Sequence, residues 1–310
     1  MTEKKILELA STQGFCAGVS NAIEIVERAL EKYKAPLYVR HHIVHNTSVI
    51  TDLEKRGVIF IESLSEVPKN QSVIFSAHGT DPKIYEEAKQ RNIHVIDATC
   101  PLVTKVHRGA SNYINKGFHI ILIGHKGHQE LIGTAGYIPP EKRYIIENED
   151  DIDQLNIPSD VPLAYLTQTT LSISDTMGMI KKLKKIYPHI KGPQKSDICF
   201  ATQNRQDAVL DLSKRCDIII VCGSPESSNS NRLKECASKE GIDAYIIDSA
   251  EELTLSWIKT KKHIGLTSGA SVPKKVVDDV IKKIMTAYPN TEIIQEKSKE
   301  KDIKFPLPPI

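Results

Sequence analysis

Ile6-Leu7-Glu8-Leu9-Ala10, then a polar turn, then Gly14-Phe15-Cys16-Ala17-Gly18-Val19 read as a strand, a turn and the start of a helix. After Cys16, apolar residues recur at Val19, Ala22, Ile23, Val26, Ala29 and Leu30, the spacing of an amphipathic helix. The same grammar returns twice. Asp97-Ala98-Thr99-Cys100-Pro101 ends a strand at Ile93 to Ile96, and Pro101 suits the first helical position, with Leu102, Val103, Val106, Ala110, Tyr113 and Ile114 as the helix face. Asp197-Ile198-Cys199-Phe200-Ala201-Thr202 opens a third helix, marked by Ala201, Ala208, Val209 and Leu212. Further short strands are expected at Leu37 to Val39, Val58 to Ile61, Val73 to Phe75, Ile120 to Ile123, Leu163 to Leu166, Ile218 to Val221, Ala244 to Ile247 and Ile264 to Leu266. Alternating strand and helix predicts an α/β fold with mostly parallel sheets. The intervals between the three cysteines, and the stretch after the last, can each hold one small α/β unit.

Each of these cysteines closes a turn that opens a helix. A helix N-terminus presents free N–H groups and partial positive charge, which favours a thiolate over a thiol. Three thiolates drawn from three segments can hold a metal centre and leave one position open. The plain alternative is three unrelated core cysteines. Cys216, Cys222 and Cys236 fit that alternative well. No Cys-x-x-Cys pair occurs, which argues against a zinc ribbon, a thioredoxin site or a local ferredoxin-type motif.

The chain has 310 residues, 40% hydrophobic and 26% charged, with a net charge of +2. That is an ordinary globular balance, and it argues against a general nucleic-acid-binding surface. No apolar run approaches the roughly 20 residues that span a bilayer. Only Ile6 to Ala10 follows the start before a polar turn, so a secretory signal is not expected. A cytoplasmic location follows, where six cysteines are reduced, catalytic or metal-bound.

Strand ends lead into loops of small residues and histidines: Ser76-Ala77-His78-Gly79-Thr80, Gly124-His125-Lys126-Gly127-His128-Gln129-Glu130, Gly223 to Ser230, and Thr267 to Pro273. Ligands of open α/β sheets bind beyond the carboxyl ends of the strands. Glycine admits close backbone approach, and Ser, Thr, Asn and His supply donors, so such loops together suit a phosphate or diphosphate. One loop alone would be a plain turn. His45, His78 and His128 each lie in a loop of this kind. Glu130, in a Gly-rich loop, becomes a proton donor if burial raises its pKa; a solvated loop glutamate is the alternative. Thr167 to Ser172 offers hydroxyls at a strand end, where helix capping is the alternative.

These motifs, from Gly14-Phe15-Cys16-Ala17-Gly18-Val19 to Gly269-Ala270-Ser271, resemble in order and nearly end to end the 4-hydroxy-3-methylbut-2-enyl diphosphate reductase family. The resemblance implies a trefoil of three small α/β domains around a central iron–sulfur cluster. The expected domains are residues 15–99, residues 100–195, and residues 1–14 with 196–290, followed by a C-terminal arm at 291–310. It implies Cys16, Cys100 and Cys199 as ligands of one [4Fe-4S] cluster with three protein ligands. It implies His45, His78, His128, Ser227, Ser228, Asn229 and Ser271 as diphosphate contacts, Glu130 as the proton-delivering acid, and Thr169 as the hydroxyl that relays the proton and places the substrate oxygen. The implied reaction removes an allylic hydroxyl by two-electron reduction and protonation, giving isopentenyl and dimethylallyl diphosphate. A flavodoxin or ferredoxin is the implied electron donor, with no nucleic-acid or membrane partner.

Two rivals share some of these features. A zinc-dependent hydrolase would use the cysteines and histidines, and a cluster-based redox sensor would use the cluster as a switch. The sensor needs neither the diphosphate-type loops nor Glu130. A Rossmann dehydrogenase is disfavoured because no Gly-x-Gly-x-x-Gly follows a predicted strand.

Overall fold

The alternation of strand and helix runs the length of the chain in a computed structural model, which describes residues 4–158, 160–298, 300 and 303–310. Residues 1–3 of the expected third domain, 159 of the second, and 299, 301 and 302 of the arm lie outside the described residues. The strands are β1 (Ile6–Leu9), β2 (Leu37–Arg40), β3 (Val58–Ile61), β4 (Ser72–Phe75), β5 (His94–Asp97), β6 (His119–Ile123), β7 (Arg143–Ile146), β8 (Leu163–Thr167), β9 (Ile218–Cys222), β10 (Asp243–Ile247), β11 (His263–Ser268) and β12 (Glu292–Gln295). The α-helices are α1 (Ala17–Tyr33), α2 (Thr47–Lys55), α3 (Pro82–Gln90), α4 (Pro101–Asn115), α5 (Gln129–Ala135), α6 (Glu149–Asp153), α7 (Ile173–Ile186), α8 (Phe200–Ser213), α9 (Ser228–Lys239), α10 (Leu255–Ile258) and α11 (Lys274–Ala287). None of the described helices is long and apolar enough to cross a membrane.

Two compact units share the chain: residues 1–19, 44–52 and 200–304 form the first, and residues 20–43, 53–199 and 305–310 the second. The first unit holds one sheet in the order β10-β9-β11-β1-β12, parallel throughout. The strand period of two divides its residues between two cores. Ile218, Ile220 and Cys222 join Leu7, Leu9, Ile264 and Leu266 against Val276, Val277, Val280 and Ile284 of α11. Ile219 and Val221 face the other way, against Val209 and Leu212 of α8 and Leu233 of α9. Burial on both faces explains why β9 reads as an unbroken apolar run.

Residues 292–295, assigned by the sequence reading to the arm, form β12. Its register pairs Ile6 with Glu292 and Leu9 with Gln295. All four residues are exposed, so no burial pattern marked it; pairing to β1 makes it a strand, and Glu292 gives this edge a charge.

The second unit holds two further parallel sheets, in the orders β3-β2-β4-β5 and β7-β6-β8. Tyr38, Val73, Phe75 and Ile93 core the first, and Ile121, Ile123, Tyr165 and Leu183 one face of the second. β7 was not foreseen, because only Ile146 of its four residues is buried. Parallel neighbours start and end together, so the loops after β6 and β8 lie side by side, as do those after β1, β9 and β11.

Candidate active site

In the second unit the loops after β6 and β8 meet at Glu130. α5 begins after His128, whose Nδ1 accepts from the Glu130 N–H at 3.1 Å. That contact puts the His128 ring proton on Nε2, making Nε2–H a donor. The Glu130 carboxylate is 2% exposed. The Thr169 N–H donates to its Oε1 at 2.6 Å and the Thr169 hydroxyl to its Oε2 at 2.9 Å. Two effects oppose each other here. Burial disfavours the charged form, while the two donors and their hydrogen bonds favour it. Burial wins: it pushes the carboxyl up from 4.5 to about 7, with a smaller push from the Asp197 charge.

Thr169 also reaches a cysteine. Its carbonyl accepts from the Cys199 N–H at 3.1 Å. One residue therefore holds the acid by two donors and a candidate metal ligand by its acceptor. Behind it, Asp197 is 5% exposed, accepts from the Thr167 N–H at 3.3 Å and lies 3.4 Å from Lys105 Nζ. Burial raises the Asp197 pKa despite the lysine.

The loop after β4 carries His78 and leads across to Cys100. The Cys100 N–H donates to Ala77 O at 3.0 Å, and Pro101 opens α4 just beyond. The His78 and His128 rings stand edge to face, 6.0 Å between centroids. His78 Nδ1 lies 3.3 Å from the Ser76 hydroxyl. Gly79 adopts φ +85°, and a Cβ there would fall 2.5 Å from Cε1 of His107, so the loop requires glycine.

The first unit holds the other predicted residues. The Cys16 N–H donates to Ala270 O at 3.1 Å, and the Val19 N–H donates to Cys16 Sγ at 3.5 Å, inside the first turn of α1. The Ser271 hydroxyl donates to His45 O at 2.9 Å. Ser227 caps α9, its Oγ accepting from the Ser230 N–H at 3.3 Å. Ser228 follows as the first residue of α9, partly exposed. Asn229 is 6% exposed, and neither its Nδ2 nor its Oδ1 has a hydrogen-bond partner among the described residues. An unsatisfied buried polar group costs on the order of 1–3 kcal/mol. A bound anion or hydroxyl would remove that cost.

The structure thus groups Glu130, Thr169, Cys199, Cys100, His78 and His128 in one unit and Cys16, His45, Ser227, Ser228, Asn229 and Ser271 in the other. None of the six cysteines forms a disulfide. Cys16, Cys100 and Cys199 are partly exposed, whereas Cys216, Cys222 and Cys236 are buried. Burial pushes the Cys216 and Cys222 thiols up to about 12. Each of the partly exposed trio stands at the start of a helix, Cys16 before α1, Cys100 before α4 and Cys199 before α8.

Sequence reading missed one cluster of possible ligands. Glu8, Cys216 and His263 bring their donor atoms within 4.8 Å of one another. Arg215 Nε already donates to Glu8 Oε1 at 3.1 Å, and His263 Nε2 lies 2.8 Å from Glu8 Oε2. This is an ion-paired network beside a protonated thiol. Asp197 was also missed, and only its place two residues before Cys199 signalled it.

A family model described as LytB protein matches residues 7–285. The chain is 51% identical over 280 residues to the 4-hydroxy-3-methylbut-2-enyl diphosphate reductase of Xanthomonas axonopodis pv. citri, covering 89% of each chain. It is 49% identical over 307 residues to that of Nitrosomonas europaea, covering 97% of this chain and 95% of the relative. Among solved structures, the E-1-hydroxy-2-methyl-but-2-enyl-4-diphosphate reductase of Plasmodium falciparum superposes with a TM-score of 0.94 at 41% identity, covering 98% of this chain and 96% of that one. A second, of (E)-4-hydroxy-3-methyl-but-2-enyl diphosphate reductase, the terminal enzyme of the non-mevalonate pathway, gives 0.63 at 29% identity, covering 92% of this chain and 100% of that one. With half its residues shared across nine-tenths of its length, the chain belongs to the LytB family of 4-hydroxy-3-methylbut-2-enyl diphosphate reductases.

Proposed function

We propose that this chain reductively removes the allylic hydroxyl of 4-hydroxy-3-methylbut-2-enyl diphosphate, with Glu130 as the acid. Beyond the family, the observation that carries this reading is Thr169, whose N–H and hydroxyl hold a buried, protonatable Glu130 while its carbonyl holds Cys199. Neither a zinc hydrolase nor a redox sensor calls for that arrangement.

Cys16, Cys100 and Cys199 would ligate one [4Fe-4S] cluster. Their reduced state, partial exposure and places at helix starts fit thiolate donation. When bound, such a cluster supplies electrons singly and a Lewis-acidic iron. The protein's residues do the rest. His45, His78, His128, Ser227, Ser228, Asn229 and Ser271 would donate to the diphosphate, and the unpartnered Asn229 amide has most to gain. Glu130 would hold its proton at the carboxyl and deliver it to the departing hydroxyl, which leaves as water. Thr169 would orient both the carboxyl and the substrate oxygen. Overall, two electrons and two protons convert the alcohol to isopentenyl or dimethylallyl diphosphate and water. A flavodoxin or ferredoxin would donate the electrons in the cytoplasm, consistent with six cysteines that form no disulfide. Three domains, at 15–99, 100–195 and 1–14 with 196–290, would each hold one of the three sheets, the third sheet taking β12 from beyond residue 290.

Anaerobic turnover of the allylic alcohol diphosphate by Thr169→Val tests the relay. The variant removes one of the two hydrogen bonds that orient the protonated Glu130 carboxyl, worth about 0.5–1.5 kcal/mol to a neutral group, so turnover should fall about twofold to tenfold. Its iron content should match wild type. Undiminished turnover would remove Thr169 from the mechanism.

A further inference from the structure

Arg205 is the largest fully buried side chain among the described residues, with 0% exposure. After Ala201 the buried face of α8 is polar, at Thr202, Arg205 and Gln206, before turning apolar at Ala208, Val209 and Leu212. Arg205 Nη1 donates to Ala201 O, one turn back, at 2.9 Å and to Glu300 Oε1 at 3.2 Å. Its Nη2 donates to Gly14 O at 2.7 Å.

Gly14 is itself fixed. It adopts φ +77°, and its N–H donates to the Ser268 hydroxyl at 2.7 Å. Two residues later the Cys16 N–H is held by Ala270 O. The turn before Cys16 is therefore gripped by the end of β11 on one side and a guanidinium on the other. A guanidinium keeps its charge at any ordinary pH, and a buried one needs a counter-charge. Glu300 supplies it from a side chain 18% exposed. The C-terminal segment arrives there by way of β12, with the Ser298 and Thr12 hydroxyls 3.5 Å apart.

We propose that Arg205, neutralised by Glu300, is a positioning residue that holds the Gly14–Cys16 turn in the geometry from which Cys16 ligates the cluster. The C-terminal segment thereby becomes part of the metal site's support. The proposal rests on the reading of Cys16 as a ligand, and its test separates the two.

Amide hydrogen exchange of the full-length protein, compared between a peptide covering residues 10–19 and one covering 116–123, which holds no proposed cluster ligand, reads the turn directly. In Arg205→Met the first peptide should exchange about tenfold faster while the second is unchanged. Arg205→Lys should restore part of the protection, because an ammonium keeps a donor and the charge. Glu300→Gln should shift the first peptide in the same direction, and it decides the matter if Arg205→Met does not fold. Iron per chain should fall in step with lost protection. Wild-type exchange of residues 10–19 in both Arg205→Met and Glu300→Gln overturns the proposal, as does a rise spread equally over both peptides. An iron-free wild type whose turn is still loosened by Arg205→Met would sink the ligand reading and leave the latch standing.

Discussion

Glu130→Gln should keep its iron and bind the allylic diphosphate, yet turn over roughly 10³-fold more slowly, the scale of a lost general acid. The amide matches the carboxyl in shape and can still accept from Thr169, but it carries no transferable proton. The wild-type pH profile should report the same group. With its value at about 7, Glu130 is protonated below that pH, so a rate limited by its proton declines as pH rises through 7. The sign for stability agrees. A carboxyl whose folded value exceeds its ordinary 4.5 contributes stability that is fully present below 4.5 and is lost as pH rises through about 7. Melting temperatures of the wild type should therefore slope downward across that window, and those of Glu130→Gln should be flatter. Wild-type turnover in the variant, or an unaltered pH profile, would remove Glu130 from the acid role.

Serine at Cys16, Cys100 or Cys199 should have the larger effect still. Each change should eliminate turnover and bleach the near-visible absorbance of anaerobically purified protein, because a serine hydroxyl replaces a thiolate in a three-ligand set. Cys216→Ser is the matched control. Its thiol is buried and pushed up to about 12, beside the Glu8–Arg215 pair, so iron content and colour should survive even where stability declines. A colourless Cys216→Ser with a brown Cys16→Ser would reverse the assignment.

Much of this was written locally in the chain. Strand, turn and helix around Cys16 and Cys100 were legible because β1 and β5 are short apolar-rich runs, α1 and α4 follow the helical period, and Pro101 marks a helix start. The small-residue loops were legible from their composition at the strand ends. β12 was not, since its exposed residues carry no burial pattern and only the partner strand β1 makes it a strand. β7 escaped similarly, with a single buried residue. What distance in sequence hides is partnership. Nothing near Thr169 announces that its three polar groups serve Glu130 and Cys199. Nothing near Arg205 announces Gly14 or Glu300. Such residues are set by tertiary packing, and a polar residue on a buried helix face, as on α8, is the only local sign of them.

The electron paramagnetic resonance spectrum of the chemically reduced protein, recorded with and without the allylic diphosphate, tests most directly whether the three cysteines serve one cluster that meets the substrate. The account predicts one iron–sulfur signal that changes when substrate is added, and no such signal in Cys16→Ser, Cys100→Ser or Cys199→Ser. An active protein that is silent, or a signal indifferent to substrate and retained in those variants, would contradict it.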